Sequence, residues 1–257
     1  MQASFVLTVA ESKRLIAQGV VRHPVVRRAL SKGLVAVVKG TTNADVAEEL
    51  AGAPMDKWLY ARGRTLPATC RPERRAPVTE VPDLILRDGA PIALSLEEAA
   101  AAMGPGDVYI KGANALDYRS RTAAVLVGAR DMGTIGLYRR SAWAARAHLV
   151  IPVGLEKQVS SDLHEASAWA AAEPEADGGG VMLYPIRGII ITEIEALALL
   201  AGVEGIQIGA GGVLGAEGSV RLLVRGGDDQ VRNALAVVAG VQGEPPYPLE
   251  PEGSGQA

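Results

Sequence analysis

VYIKGANALD, residues 108–117, and LVAVVKGTTNADVAEEL, residues 34–50, decide the fold of this chain. Each begins with a short apolar run of the kind found in strands that are covered on both faces of a parallel sheet. Each run ends in Lys-Gly followed by small polar residues. Because the ligands of open parallel sheets bind beyond the carboxyl ends of the strands, the two segments together predict one crevice that binds an anion.

The composition is that of a globular chain with a sizeable core. The chain has 257 residues, of which 48% are apolar, and a net charge of −3, which fits one large or two small domains. This balance gives no indication of a nucleic-acid partner. No apolar run approaches the roughly 18 residues that span a bilayer, and the N-terminus lacks the pattern of a signal peptide. We therefore expect a cytoplasmic protein with neither a nucleic-acid nor a membrane partner.

Cysteines and histidines are too few and too dispersed for a metal centre. Cys70 is the single cysteine, which excludes an intramolecular disulfide framework and an all-cysteine iron–sulfur cluster within one chain. His23, His148 and His164 are far apart and lack the spacing of metal ligands. The sequence therefore predicts no metal site and no cofactor.

The order of the elements predicts two domains. Residues 1–172 are typical of an α/β domain with a Rossmann-like, mostly parallel sheet flanked by helices. Residues 181–247 have the order β-α-β-β-α-β, which is typical of a smaller ferredoxin-like α+β domain. Because the edges of such sheets often pair, we expect a homo-oligomer, most simply a dimer. Residues 248–257 are predicted to be a disordered tail.

An excursion interrupts the first domain at residues 52–95. Its first part, 52–82, is rich in proline and arginine and has no clear period. The favoured interpretation is a solvated basic loop, and the alternative is a lid over an anionic ligand. Its second part, 84–94, predicts a β-hairpin with Asp88 and Gly89 at the turn.

The segment KGTTN, after the first strand, has the groups of an anion site. Gly40 lets the backbone approach a ligand closely, and Lys39 adds a positive charge. Thr41, Thr42 and Asn43 offer hydrogen-bond donors at the N-terminus of a helix predicted over 43–51, with Asn43 as its cap. The alternative is a tight strand-to-helix turn without a ligand. The spacing GxxxxGK[ST] of a P-loop is absent.

The segment KGANALD, after the second strand, has groups suited to proton transfer. Asp117 is a candidate general base, and Asn114 is a candidate for orienting a carbonyl or hydroxyl group. Lys111 would balance an enolate or oxyanion, beside a ligand surface formed by Gly112 and Ala113. The alternative is that Asp117 caps a turn and that Lys111 extends to solvent.

Two further segments contain candidate ligand-binding groups. In DMGTIG, Gly133 and Thr134 form a polar loop after a buried strand, and they offer backbone donors or only a turn. In GLEKQV, Glu156 and Lys157 follow the strand VIPVG. A glutamate at that place is a candidate nucleophile or base, although the pair also fits the exposed start of a helix.

Three segments, taken together, resemble the sheet segments of a known superfamily: KGTTNADVAEEL, KGANALD and AHLVIPVGLEKQV. It contains ribose-5-phosphate isomerase, glucosamine-6-phosphate deaminase, the CoA transferases and the lactate-utilisation (LUD) domain proteins, and the LUD branch is the most similar. The resemblance covers about residues 8–170 and includes Lys157 after VIPVG. The chain departs from the isomerase at Asn114, where that family has an acidic residue, and it lacks the glutamate-containing glycine motif of CoA transferases.

These features predict a protein that binds a small anionic metabolite at the C-terminal ends of the parallel strands. The resemblance implies a sugar phosphate, a hydroxy acid or an acyl-CoA as the ligand. The expected reaction is isomerisation or, second, acyl transfer, with Asp117 as the proton shuttle. The alternative is a non-catalytic ligand sensor or a subunit of a larger complex, an oxidoreductase complex if the LUD resemblance holds.

Overall fold

A computed structural model describes residues 1–62, 65–67, 81–173, 180 and 182–247 of the chain. In chain order its strands and helices are β1 (Gln2–Leu7), α1 (Val9–Arg22), α2 (Pro24–Ser31), β2 (Leu34–Val37), α3 (Thr41–Ala51), β3 (Leu84–Arg87), β4 (Ala90–Pro91), α4 (Leu96–Ala102), β5 (Val108–Ile110), β6 (Ala115–Asp117), β7 (Thr122–Val127), α5 (Gly133–Leu137), β8 (His148–Pro152), α6 (Leu163–Ala172), β9 (Met182–Ile186), β10 (Ile189–Ile191), α7 (Glu193–Ala201), β11 (Glu204–Ala210), β12 (Val220–Arg225) and α8 (Asp228–Val241).

A six-stranded sheet forms the centre of the fold. Its strand order is β10-β8-β5-β2-β3-β4. Strands β10, β8, β5 and β2 run parallel to one another, whereas β3 runs antiparallel to both of its neighbours, β2 and β4. All four residues of β2 and all three of β5 are buried, because helices cover the sheet. The predicted α/β class with a mostly parallel sheet flanked by helices is confirmed.

Local signals in the sequence correctly predicted several boundaries. Thr8 and Thr192 cap α1 and α7, and each forms a capping box with the glutamate three residues later, as the Thr-x-x-Glu pattern in both segments indicates. β3 and β4 form the predicted hairpin. Asp88 and Gly89 at its turn both have positive φ, 52° and 79°, as a tight hairpin turn requires.

The predicted ferredoxin-like arrangement of residues 181–247 differs from the strand pairing in the structure. β9 pairs with β7, β10 joins the central sheet, and β11 and β12 form a three-stranded antiparallel sheet with β1. Residues 242–247 contain no strand. The prediction missed β1 and its pairing with β12, because pairing between chain ends leaves no local pattern in either segment.

The two predicted domains share one hydrophobic core. This core includes buried residues from Phe5 to Val241, so the predicted boundary between residues 172 and 181 does not separate two cores. Helix α1 packs against both α3 and α7. The contact with α7 is close because residue 19 is glycine: a Cβ at Gly19 would lie 2.7 Å from Cα of Ala196.

The start of the excursion is held against the sheet. Trp58 and Tyr60 are buried. The hydroxyl of Tyr60 donates to the carbonyl of Val37 (2.6 Å) and accepts from the amide of Leu84 (2.9 Å). The predicted solvated loop is therefore wrong for residues 57–61. Residues 63–64 and 68–80 of the predicted lid, which include Cys70, lie outside the described residues, as does the predicted tail, 248–257.

Among the described helices, none is both long and apolar enough to cross a membrane.

Substitution of Gly19 tests the close packing of α1 on α7. We expect Gly19→Ala to lower the free energy of unfolding by about 1–3 kcal/mol, because the added methyl group meets backbone that cannot move aside easily. Gly240→Ala is the matched control: Gly240 is also helical, and a Cβ there has nothing within 4 Å. The control should leave stability unchanged or raise it by up to about 1 kcal/mol. Urea unfolding measures the free energy of unfolding of both variants, and equal effects of the two substitutions would contradict the close packing of α1 on α7.

Candidate functional site

The carboxyl ends of the four parallel strands bring four segments of the chain together at one edge of the central sheet. These segments are residues 38–43 after β2, 111–114 after β5, 153–157 after β8 and 192–193 after β10. We call them the carboxyl edge. Three polar side-chain atoms in this edge are buried without a hydrogen-bond partner among the described residues, namely Thr42 Oγ1, Asn43 Oδ1 and Glu156 Oε2.

Asn43 joins the ends of two central strands. Its Nδ2 donates to the carbonyl of Val38 (2.6 Å) and to the carbonyl of Ile110 (3.2 Å). Both amide protons are thereby used, and Oδ1 points towards Gly112, where a Cβ would lie 3.6 Å from it. Gly112 is therefore beside an unused acceptor, and the predicted proximity of Asn43 and Gly112 is present.

Helix α3 begins two residues earlier than predicted. Gly40 is its N-cap and no side chain caps it, so Asn43 lies in the first turn and the predicted cap role of Asn43 is wrong. The physical reason is that the Asn43 amide bonds strand carbonyls instead of its own helix. Thr42, in the same turn, is buried with an unpartnered hydroxyl, whereas Thr41 is half-buried. First-turn amides and such a hydroxyl together suit an anion or a polar ligand.

Lys39 keeps its positive charge but uses its ammonium in a hydrogen bond, and the predicted contact with an anion stays a prediction. Its Nζ donates to the carbonyl of Val81 (2.6 Å), and its amide donates to Asp83 (2.7 Å). The side chain thus holds the end of the excursion near the sheet. Burial raises the pKa of Asp83, and the nearby Lys39 opposes this shift.

Two glutamates lie next to each other at the ends of β8 and β10. Glu193 is fully buried and accepts from the amide of Leu155 (3.0 Å). Burial raises the pKa of Glu193 to about 7, and repulsion by Glu156 adds to the shift. The carboxylate of Glu156 folds back against Gly154, where any Cβ would overlap it. Glycine at position 154 therefore makes room for a buried carboxylate.

Lys157 and Lys13 bring positive charge to these glutamates. Nζ of Lys157 donates to the carbonyl of Ala113 (2.9 Å), which places two of the predicted ligand-binding residues in contact with each other. Burial lowers the pKa of Lys157, against the opposing effect of Glu156. Burial also lowers the pKa of Lys13, and the charge of Lys157 adds to that shift.

Lys111 follows the central strand β5 and is half-buried. Its amide donates to the carbonyl of Val150 (3.0 Å), which fixes its backbone. Its ammonium forms no hydrogen bond or ion pair within the described part of the chain. Burial lowers the pKa of Lys111 to about 8; Asp83 opposes the shift and Lys157 adds to it. This lysine therefore exchanges its proton close to neutral pH.

Asp117 and Asn114 make structural hydrogen bonds, which argue against the catalytic roles predicted for them. Asp117 accepts from the amides of Arg119 (3.1 Å) and Ser120 (3.2 Å). These bonds lower its pKa, those from Ser120 most, so Asp117 is a poor general base at neutral pH. It caps the turn, as the alternative proposed. Asn114 Oδ1 accepts from the amide of Leu126 (3.0 Å) and so extends the β6–β7 pairing.

Gly133 and Thr134 form the start of α5, a helix of five residues. The amide of Gly133 donates to Asp131, and the carbonyl of Thr134 accepts from the hydroxyl of Tyr109 (2.9 Å). These bonds attach α5 to β5. A contact of Gly133 or Thr134 with a ligand stays a prediction.

Sequence reasoning missed two residues of this cluster and undervalued a third. Glu193 is the second residue after the apolar strand Ile189–Ile191, so it too follows a buried strand, as Lys39 and Lys111 do. Lys13 lies within α1 and has no local signal, because only the packing of α1 brings it to the edge. Glu156 was weighed as a base or nucleophile but placed on the surface, whereas its Oε2 is buried.

A separate charged cluster joins α1, α3 and the C-terminal segment. Carboxylate oxygens of Asp45, Glu48 and Glu244 lie within 4.8 Å of one another, a spacing that could hold a metal ion. Arg14 and Lys57 already neutralise these acids: Lys57 Nζ lies 2.7 Å from Asp45 and 2.8 Å from Glu244, and Arg14 contacts all three. The cluster therefore fits a structural tie between chain segments.

Comparison with known proteins yields no match to a family model, a curated protein or a solved structure. The resemblance to the sugar-phosphate isomerases, CoA transferases and LUD proteins therefore stays a prediction.

The raised pKa of Glu193 predicts how stability depends on pH. In the unfolded chain the carboxyl group of Glu193 loses its proton near pH 4.5, and in the folded chain it loses the proton near pH 7. Folding thus loses stability as the pH rises through that window. Glu193→Gln keeps an acceptor for Leu155 and removes the titration. Between pH 4.5 and pH 8 we expect the free energy of unfolding of the variant to rise by about 3 kcal/mol relative to that of the wild type.

Glu195→Gln is the control for this experiment, because the pKa of Glu195 is lowered by its bonds to Thr192. The difference in the free energy of unfolding between Glu195→Gln and the wild type should have the opposite pH dependence. The wild type should gain stability relative to this variant as the pH rises. Thermal unfolding at several pH values measures both series. A Glu193→Gln difference that stays constant with pH would contradict a buried, titrating Glu193.

Proposed function

We propose that the carboxyl edge binds a small anionic metabolite and exchanges protons with it. The observation that carries this proposal is the group of buried, unpartnered atoms: Thr42 Oγ1, Asn43 Oδ1 and Glu156 Oε2. An unsatisfied buried polar group costs about 1–3 kcal/mol. Such groups are rare in folded proteins and call for an explanation. A ligand with its own donors and acceptors at this edge would provide the missing partners.

The charges of the edge favour an anion. Lys13, Lys111 and Lys157 all have lowered pKa values, which means that burial makes their positive charges costly. Of the two glutamates that offset them, Glu193 is about half protonated at neutral pH. A bound carboxylate or phosphate would restore the charge balance, and the amides in the first turn of α3 would add donors for it.

The titration of two groups favours an enzyme over a passive binding protein. Glu193 and Lys111 have pKa values of about 7 and about 8, which is the range in which a general acid or base works best at neutral pH. Groups perturbed in this way cluster at functional sites. Proton transfer next to a bound anion fits isomerisation, the first of the expected reactions. A ligand sensor would use the same edge without turnover.

Thr42→Val tests the binding proposal, since it removes an unpartnered hydroxyl and keeps the shape of the side chain. The free protein should become more stable by about 1 kcal/mol, because a buried unsatisfied group is lost. Its affinity for the ligand should fall about 5- to 10-fold, because one hydrogen bond to the ligand is lost. The measurement is a thermal-shift titration with hydroxy acids, sugar phosphates and CoA esters. A ligand at about 100 times its dissociation constant stabilises the wild type by about 2.7 kcal/mol.

Ser219→Ala is the matched control. Its buried hydroxyl already donates to the carbonyl of Gly211 (2.9 Å) in the turn between β11 and β12. Its loss should lower the stability of the free protein by about 1 kcal/mol and leave the ligand-induced shift unchanged. If none of the anions shifts the wild type, or if Thr42→Val responds as the wild type does, the proposed site is wrong.

A further inference from the structure

We infer that Lys111 forms a reversible imine with the ligand, and that the ligand is a small aldehyde or ketone that also has a carboxylate or phosphate group. This inference rests on the proposed function, because the anion binds at the same edge. It adds a covalent step and narrows the ligand from anions in general to anions that contain a carbonyl group.

Lys111 has a central position at the carboxyl edge. Strand β5 lies between β2 and β8, so its end is flanked by the other segments of the edge on both sides. The next residue, Gly112, lies between Asn43 Oδ1 and the carbonyl of Pro152, each 3.6 Å from the position of a Cβ. The backbone next to Lys111 therefore passes the unused acceptor of Asn43.

Lys111 also differs from the other five lysines of the chain. Nζ of Lys39 and Nζ of Lys157 donate to backbone carbonyls, and Lys57 pairs with carboxylates. Lys13 lies 5.8 Å from the ring centre of Tyr247, and Lys32 is exposed. Only the Lys111 ammonium is both half-buried and without a bond or ring contact in the ranges that the structure describes.

An imine requires the neutral amine of lysine, and the surroundings of Lys111 favour that form. Burial and the charge of Lys157 both lower its pKa, to about 8. At pH 7.5 its neutral fraction is about two hundred times that of a lysine with the ordinary pKa. Desolvation and a neighbouring cation are the means by which lysine nucleophiles are activated.

Imine formation at Lys111 conserves atoms and charge. The neutral Nζ attacks the carbonyl carbon, and one nitrogen proton moves to the oxygen to give a carbinolamine. A proton from solvent then protonates the hydroxyl group, the C–O bond breaks, and water leaves. The product is an iminium with a C=N bond to Lys111, and hydrolysis by one water molecule reverses the step and releases the proton.

Reductive trapping of the full chain tests the inference. Pyruvate and glyceraldehyde 3-phosphate are the anionic carbonyl probes, and glycolaldehyde is the neutral one; cyanoborohydride reduces any imine to a stable amine at pH 7.5. Peptide mass spectrometry gives the labelling rate of each of the six lysines. We expect at least one anionic probe to label Lys111 ten or more times faster than Lys32, and the selectivity of glycolaldehyde to be lower.

Lys111→Arg keeps the positive charge and cannot form the imine. It should lose the fast-labelled site, whereas Lys32→Arg, at an exposed lysine, should keep it. Lactate and glycerol 3-phosphate, which are anions without a carbonyl, should still shift the thermal unfolding of the wild type. If Lys111 is labelled no faster than Lys32 by either anionic probe, or no more selectively than by glycolaldehyde, the imine inference is wrong. Binding of the anions without labelling would refute the imine alone, whereas neither binding nor labelling would refute the proposed function as well.

Discussion

The amide of Asn43 is the interaction on which the carboxyl edge depends. A buried backbone carbonyl at the end of a strand needs a donor. Asn43 gives one amide proton to the carbonyl of Val38 and the other to the carbonyl of Ile110, which also accepts from the amide of Val38 (3.0 Å), and so adds to the pairing of β2 with β5. Helix α3 must start at Gly40 for Asn43 to reach them. The remaining oxygen of the amide is left beside Gly112 without a partner, and this is how a structural bond creates a binding group.

The second constraint is the cost of burying charge at this edge. Isolated buried charges are expensive, and their pKa values shift towards the neutral form. Glu193 and the lysines follow that rule, since burial is the largest cause of every one of their shifts. Arg14, Lys57, Glu48 and Glu244 show the other solution, in which direct ion pairs stabilise the charged forms. Glu193 and Lys111 at the carboxyl edge form no such pair with a described residue, and their pKa values lie near neutral pH.

Much of the fold could be predicted from the sequence, because its signals are local. The buried strand runs, the capping boxes at Thr8 and Thr192 and the turn at Asp88-Gly89 each depend on a few adjacent residues. The pairing of β1 with β12 could not be predicted, because it joins the two ends of the chain. The predicted site stays a prediction, and its residues are only partly those of the charged cluster at the carboxyl edge: Asp117 bonds its own turn, and Glu193 and Lys13 reach the edge only through the packing of α7 and α1.

A crystal structure of the protein grown with a bound anionic metabolite tests the central claim most directly. The central claim is that Thr42, Asn43 and Glu156 keep polar atoms free for a ligand at the carboxyl edge. The account predicts density for the anion at this edge, with hydrogen bonds to Thr42 Oγ1 and Asn43 Oδ1 and with Lys111 beside it. The opposite result, in which protein groups already satisfy these three atoms and the anion binds elsewhere or not at all, would contradict the account.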